Sequence, residues 1–222
     1  MDIFGGPWDN YIDKIVENWH QTVSSDDIVL IAGDISWAMQ LENAKADLDF
    51  IGNLPGKKII IRGNHDYWWK SISAIRNICP ASILPLQNDC VVINNIIFTG
   101  TRGWQVPERQ NNQTADDKKI LEREFLRLEL SLKSAKDLME KLNKTEPKDY
   151  KIISLIHYPP FNSRHERNKF IELFEEYGVS AVVYGHIHGK TSRSTPVLNI
   201  NGIKYYITSC DQIDNKLVEI KI

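Results

Sequence analysis

The chain has 222 residues, of which 42% are hydrophobic, and this length and composition predict one domain, residues 1–222, with a substantial core. Its 27 lysines and arginines against 29 aspartates and glutamates leave a formal net charge of −2, so bulk attraction to nucleic acid or to a membrane surface is not expected. Three widely spaced cysteines, Cys79, Cys90 and Cys210, include no C-x-x-C pair, which disfavours a disulfide framework or a zinc ribbon and favours a reducing compartment.

The first part of the chain alternates predicted helices and strands. Apolar residues repeat with a helical period over residues 9–24. Apolar runs then predict a strand at 27–32, a helix at 42–54, a strand at 57–62 and a short helix near 69–78. This alternation favours parallel strands joined by helical crossovers.

After Pro80 the pattern changes to short strands at 82–84, 90–93 and 96–99, with Asn94-Asn95 as a hairpin signal. The spacing Thr114-x-x-Asp117 predicts a capping box, and an apolar stripe continues from it to about Asn143. A helix of that length would be roughly 40 Å long, so it either breaks midway or projects beyond the core. We interpret it as a cover helix with solvated charges on its outer face; the alternative is a lid or partner-binding helix.

The last third predicts strands at 151–156, 181–184, 197–200, 204–208 and 216–222, and a helix at 166–177. Two mixed β-sheets packed face to face between helices accommodate all of these elements. The predicted fold class is therefore α/β.

Polar side chains follow four of the predicted strands at the point where each strand ends. These strand ends read Gly33-Asp34, Gly63-Asn64-His65-Asp66, His157 and Gly185-His186-Ile187-His188-Gly189. Residues i and i+2 of an extended chain share a face, so the last two histidines can converge on one point. Oxygen and nitrogen donors without a thiolate suit Mn, Fe or Zn and predict metal-assisted hydrolysis. Asp34 is the natural bridge between two cations, because among these types of ligand only a carboxylate offers two anionic oxygens.

The order G-D, G-N-H-D, H and G-H-x-H, each after an apolar run, resembles the calcineurin-like metallophosphoesterase superfamily. The resemblance covers roughly residues 27–220 and implies a four-layer αββα sandwich. It also implies that one metal is bound by Asp34, Asn64, His157 and His186, and the other in part by Asp34 and His188. In the same pattern His65 protonates the leaving oxygen or steadies the phosphoryl oxygens, and Asp66 orients its ring.

The D-x-H motif that opens the family pattern is not found in this sequence. Residues 1–7 read M-D-I-F-G-G-P, and the first histidine, His20, lies in a predicted helix. We therefore expect that one of the two cations is held well and that hydrolysis is weak. We also expect a first central strand upstream of Met1, and hence an unpaired edge and an apolar groove beside strand 27–32 unless residues 1–4 or a second molecule fill it.

Four residues are candidates for substrate contact, namely Trp37, Arg102, Arg164 and His165, with packing or a solvated surface as the alternative for each. Arg102 is the first to test, since a guanidinium can clamp phosphate with two hydrogen bonds. The preferred function is a cytoplasmic phosphatase or phosphodiesterase acting on a small phosphorylated substrate, without membrane or nucleic-acid partners. The alternative is a non-catalytic protein-binding scaffold on the same fold. Since the missing ligands form one contiguous block, the sequence favours the enzyme.

Overall fold

A computed structural model describes residues 5–108, 113–189 and 195–222. Over these residues the chain forms five α-helices, α1 (Tyr11–Thr22), α2 (Leu41–Gly52), α3 (Ile72–Ile78), α4 (Ala115–Thr145) and α5 (Lys169–Glu176), and a short 3₁₀ helix, Gly6–Trp8. The strands are β1 (Ile28–Ile31), β2 (Lys57–Ile60), β3 (Ile83–Pro85), β4 (Cys90–Ile93), β5 (Ile96–Thr101), β6 (Lys151–Ile156), β7 (Ala181–Tyr184), β8 (Val197–Ile200) and β9 (Ile203–Ile207). These elements confirm the predicted helices and strands up to residue 208, with shifts of a few residues at their ends.

The described strands form two sheets, one of three strands in the order β1-β2-β3 and one of six in the order β4-β5-β6-β7-β9-β8. The six-stranded sheet is mixed, as expected, because β4 and β8 run antiparallel to their neighbours while the strands between them are parallel. The three-stranded sheet was also predicted to be mixed, but its described strands are all parallel, because each of its connections passes through a helix. The hairpin at Asn94-Asn95 is confirmed, and Asn94 has a φ of 56°.

Successive side chains in β2, and in the residue that follows it, pack in opposite directions and so show how the layers are stacked. Ile59 and Ile61 pack into the core between the two sheets, together with Leu155 of β6. Ile60 points the other way and packs with Leu48 of α2 and other residues on the outer face of the small sheet. Helices α4 and α5 cover the outer face of the large sheet. The predicted four-layer αββα sandwich is therefore confirmed.

Helix α4 is a single helix of 31 residues. The predicted capping box is confirmed, because Thr114 and Asp117 exchange side-chain and backbone hydrogen bonds at its start. Its buried face packs against β4, β5 and α5, which supports the interpretation as a cover helix. None of the helices in the described part of the chain is long and apolar enough to cross a membrane.

The predicted strand at 216–222 is wrong. Val218 and Ile220 pack against the core between the sheets, as their alternation suggested. The backbone N–H of Leu217, however, donates to the side chain of Asn18 at 2.8 Å, and that of Lys221 donates to the Tyr206 hydroxyl at 3.1 Å. Side chains thus take the place of a neighbouring strand.

Strand β1 ends the three-stranded sheet. Its four residues are all partly exposed, and within the described ranges no strand pairs with its second edge. This agrees with the expected unpaired edge. The suggestion that residues 1–4 fill it falls outside the described residues, and the apolar groove stays a prediction.

Candidate metal centre

The loops that follow β1 and β2 lie in direct contact. A Cβ atom at Gly33 would come within 2.5 Å of the backbone nitrogen of Gly63, and one at Gly63 would overlap Asp34. Gly33 also has a φ of 94°, a conformation that glycine adopts without steric cost. Glycine at both positions therefore allows Asp34 and Asn64 to approach each other.

The buried carboxylate of Asp66 ties these two loops together. It accepts five hydrogen bonds of 2.7 to 3.2 Å, from the backbone N–H groups of Gly63, Asp34, Ile35 and Ser36 and from the indole N–H of Trp68. Burial raises the pKa of Asp66, and the bonds from Gly63, Ile35 and Ser36 oppose that rise.

The predicted orientation of the His65 ring by Asp66 is not observed. The Nδ1 atom of His65 is buried without a hydrogen-bond partner. The physical reason is that Asp66 already accepts the five N–H groups of the loops, so its oxygens face the backbone and the Trp68 indole. Asp66 therefore positions the loops that carry Asp34 and Asn64.

His157 presents a lone pair to the space between the loops. Its Nδ1 lies 2.7 Å from the carbonyl oxygen of Ala32, which can only accept, so Nδ1 carries the proton and Nε2 is bare. Nε2 lies 2.7 Å from Asn64 Oδ1 and 3.5 Å from Asp34 Oδ2. Burial lowers the pKa of His157 to about 4, so the ring is neutral near pH 7.

His186 joins the same group from the end of β7. Its Nδ1 lies 2.8 Å from Asn64 Oδ1 and 3.2 Å from His157 Nε2. Burial, followed by the nearby His157, lowers the pKa of His186 to about 4. Four predicted ligands therefore meet at one point, although His157 and His186 are far from Asp34 and Asn64 in the sequence.

The chemistry of this group fits a cation. Asn64 Oδ1 and Asp34 Oδ2 lie 2.7 and 3.5 Å from His157 Nε2, and all three atoms carry electron pairs of the kind that a divalent cation accepts. Among the histidine, cysteine, aspartate and glutamate side chains of the described residues, no three by themselves could hold a metal ion. The donor set therefore depends on the amide oxygen of Asn64.

Two of the four donors have a strained backbone. Asp34 has a φ of 56° and His186 a φ of 71°, in the left-handed region that residues with a Cβ rarely adopt. Such strain costs about 1–3 kcal/mol per residue and often occurs at functional sites. The backbone N–H of His65 holds Asp34 Oδ1 at 2.8 Å, which leaves Oδ2 toward His157.

His188 is held by a residue that sequence reasoning missed. Its Nδ1 lies 2.7 Å from Asp211 Oδ1, and the other oxygen of Asp211 accepts the backbone N–H of Gly189 at 2.9 Å. Burial raises the pKa of Asp211, but the bonds from Gly189, His188 and Gln212 outweigh it and lower the pKa below its ordinary value. This carboxylate–histidine pair leaves Nε2 of His188 available as a ligand. Asp211 follows β9, so the rule that found the other strand-end residues could have found it.

Two of the four candidate substrate contacts, Trp37 and Arg102, lie against candidate site residues, and the other two contact residues elsewhere. Trp37 is 61% exposed and its ring centroid lies 4.8 Å from that of His65. Arg102 follows β5, and the backbone N–H of His157 donates to its carbonyl oxygen at 3.0 Å. Arg164 and His165 find partners in and around their own loop, because Arg164 binds Glu108 and Glu166 and the ring of His165 packs on Phe161. Substrate contact by any of the four stays a prediction.

A family model described as calcineurin-like phosphoesterase matches residues 6–190. Among solved structures, that of TT1561 from Thermus thermophilus is similar with a TM-score of 0.61 at 13% sequence identity. The match covers 90% of this chain and 83% of that one, and at this identity it shows a shared fold. No match was found among curated proteins.

Proposed function

Because the chain belongs to the calcineurin-like phosphoesterase family, we propose that it hydrolyses a phosphomonoester or phosphodiester with the help of a divalent cation. Members of this family generally bind divalent metals. The observation that carries the proposal is the mutual approach of three potential ligand atoms, His157 Nε2, Asn64 Oδ1 and Asp34 Oδ2. A small phosphorylated molecule is the proposed substrate class.

We assign Asp34, Asn64, His157 and His186 to one cation, and Asp34 with His188 to a second position. The first position has four protein donors and the second has two among the described residues, so the first is expected to bind more tightly. Donors of this kind suit Mn, Fe or Zn. Asp211 would support the second position by fixing the ring of His188.

Divalent cations bound here would supply positive charge to the phosphoryl oxygens and lower the pKa of a water molecule. The protein would supply the proton for the leaving oxygen from His65. Because Nδ1 of His65 is buried without a partner, Nε2 is the ring nitrogen that can exchange a proton with a substrate. Trp37, against the same ring, would shield it on one side from water.

The direct test is metal content and hydrolysis measured on one sample of the full chain. We expect about one tightly bound divalent cation per chain by elemental analysis after dialysis, from the four-donor position, and weak hydrolysis of an aryl phosphate or a bis-aryl phosphodiester that a chelator abolishes. Stable metal binding without hydrolysis of either ester would favour the alternative, a protein-binding scaffold on this fold. Hydrolysis that survives complete metal removal would contradict the proposed mechanism.

Replacing Asp211 with asparagine is expected to weaken the second cation position and to lower hydrolysis about 10- to 100-fold, since the His188 ring loses its charged partner. Excess Mn²⁺ should recover much of the activity, and the tightly bound cation should remain. The control is Asp149→Asn, at an exposed surface ion pair with Lys151. A loss that metal cannot restore, together with a lower melting temperature, would mean that Asp211 is only structural.

A further inference from the structure

A small cavity lined by three arginines lies next to the candidate metal centre. Its volume is about 50 Å³, room for roughly three or four water molecules. The three are Arg62, in the segment between β2 and Gly63, Arg102, directly after β5, and Arg127, on the inner side of α4. The backbone of Arg102 receives hydrogen bonds from the N–H groups of His157 and Tyr158, at 3.0 and 3.1 Å, so the cavity adjoins the loop of a proposed ligand.

The cavity carries more positive charge than its lining neutralises. Glu124 of α4 is its only lining carboxylate among the described residues, and it is fully buried. One oxygen of Glu124 lies 2.6 Å from Arg127 Nη1 and 3.5 Å from Arg102 Nη2, while the other accepts from Thr101 and Gly103. Burial, and after it the charges of Arg62 and Arg127, lower the pKa of Arg102, against the opposing effect of Glu124.

Two of the arginines that line this cavity each have a donor without an acceptor. The Nε atoms of Arg62 and Arg102 are both buried without a hydrogen-bond partner. A buried N–H group without an acceptor is destabilising, and so is buried charge without a counter-ion. The planar guanidinium fork binds carboxylates and phosphates through paired hydrogen bonds, so one small oxyanion in the cavity would supply the missing negative charge.

We propose that this arginine pocket, formed by Arg62, Arg102 and Arg127 around Glu124, binds a second anionic group of the substrate. The group is a phosphate or a carboxylate other than the phosphoryl group that is hydrolysed, so the inference rests on the proposed function. The substrate class is a phosphate ester with two separate anionic groups. Glu124 orients Arg102 and Arg127 and at the same time limits the affinity of the pocket for anions.

The test is calorimetric titration of the full chain, freed of metal and chelator by dialysis, with inorganic phosphate and separately with acetate. We expect one anion to bind without metal. Arg102→Met and Arg127→Met should each weaken binding about tenfold or more, because each removes a charged donor pair. Glu124→Gln should strengthen binding about threefold or more, because it removes the competing charge while its amide oxygen can still accept from Thr101 and Gly103.

The predicted changes in anion affinity have opposite signs, weaker for the two arginine variants and stronger for Glu124→Gln. This separates anion binding from a structural role, since damage to the fold would weaken binding in all three variants. Arg123→Met, at an exposed position on the same helix, is the matched control and should bind like the unmodified chain. Tighter binding of phosphate than of acetate assigns a phosphate to the pocket, and the reverse assigns a carboxylate. Binding that requires metal, or that Arg102→Met leaves unchanged, would overturn the proposal. Since the titration needs neither metal nor turnover, its result is independent of whether hydrolysis is found.

Discussion

Replacing His186 with glycine is expected to remove the tightly bound cation and to lower kcat/KM by about 10³-fold or more. The loss follows because the cation's charge contributes several kcal/mol to stabilising the transferred phosphoryl group, and each 1.36 kcal/mol is a factor of ten in rate. Glycine is chosen because His186 has a φ of 71°, which glycine adopts without strain whereas alanine does not. Elemental analysis and steady-state hydrolysis of an aryl phosphate measure the two effects.

The control is His20→Ala, an exposed histidine in the last turn of α1 that should change neither quantity. His65→Gln should behave differently from both, because the proposed proton donor acts after binding. We expect it to lower kcat about 10²- to 10⁴-fold while the metal content stays the same. If His186→Gly kept its metal, His186 would not be a ligand, and if His65→Gln lost metal and turnover equally, His65 would be structural.

Replacing Asp66 with alanine is expected to cost most of the stability of the fold. The substitution leaves five N–H groups of two loops without an acceptor, three of them buried and two part-buried, and each buried one costs about 1–3 kcal/mol. That sum is comparable with the whole free energy of unfolding of a domain, about 5–15 kcal/mol. Asp66→Ala should therefore accumulate as unfolded or aggregated protein.

Asp66→Asn makes the same prediction measurable, because the amide keeps one acceptor oxygen. We expect urea denaturation to show a loss of about 2–4 kcal/mol. Asp49→Asn, at an exposed ion pair with Lys45, is the control and should change stability by less than about 1 kcal/mol. An Asp66→Asn protein as stable as the unmodified chain, but inactive, would show that Asp66 takes part in the chemistry instead of holding the loops.

The sequence specified the elements that local patterns encode. The apolar period of α1, the capping box of α4 and the hairpin between β4 and β5 each depend on residues close together in the chain. The candidate ligands were predictable for a related reason. The carboxyl ends of neighbouring parallel strands meet at one edge of a sheet, so Asp34 could be grouped with Asn64, and His157 with His186, once their strands were recognised. The two pairs belong to different sheets, and only the packing of the sheets brings all four together.

Other features depended on contacts between distant parts of the chain. Asp66 accepts hydrogen bonds from N–H groups of the loop after β1, and Asp211 pairs with His188. The sequence around each aspartate does not indicate which residue it contacts. The segment at 216–222 has the alternating apolar pattern of a strand. A strand forms only where a neighbouring backbone supplies hydrogen-bond partners, and here the side chains of Asn18 and Tyr206 accept the backbone hydrogen bonds.

The arginine pocket shows the same limit most clearly. Arg62, Arg102 and Arg127 belong to three different elements, and only the packing of α4 on the large sheet brings them around Glu124. Spacing along a strand or helix fixes which side chains share a face, and that information is local. Which faces then meet, and which charges are buried together, is decided by packing between elements. The candidate ligands could therefore be named from the sequence, while their convergence from two sheets, and the groups that position and surround them, required the tertiary structure.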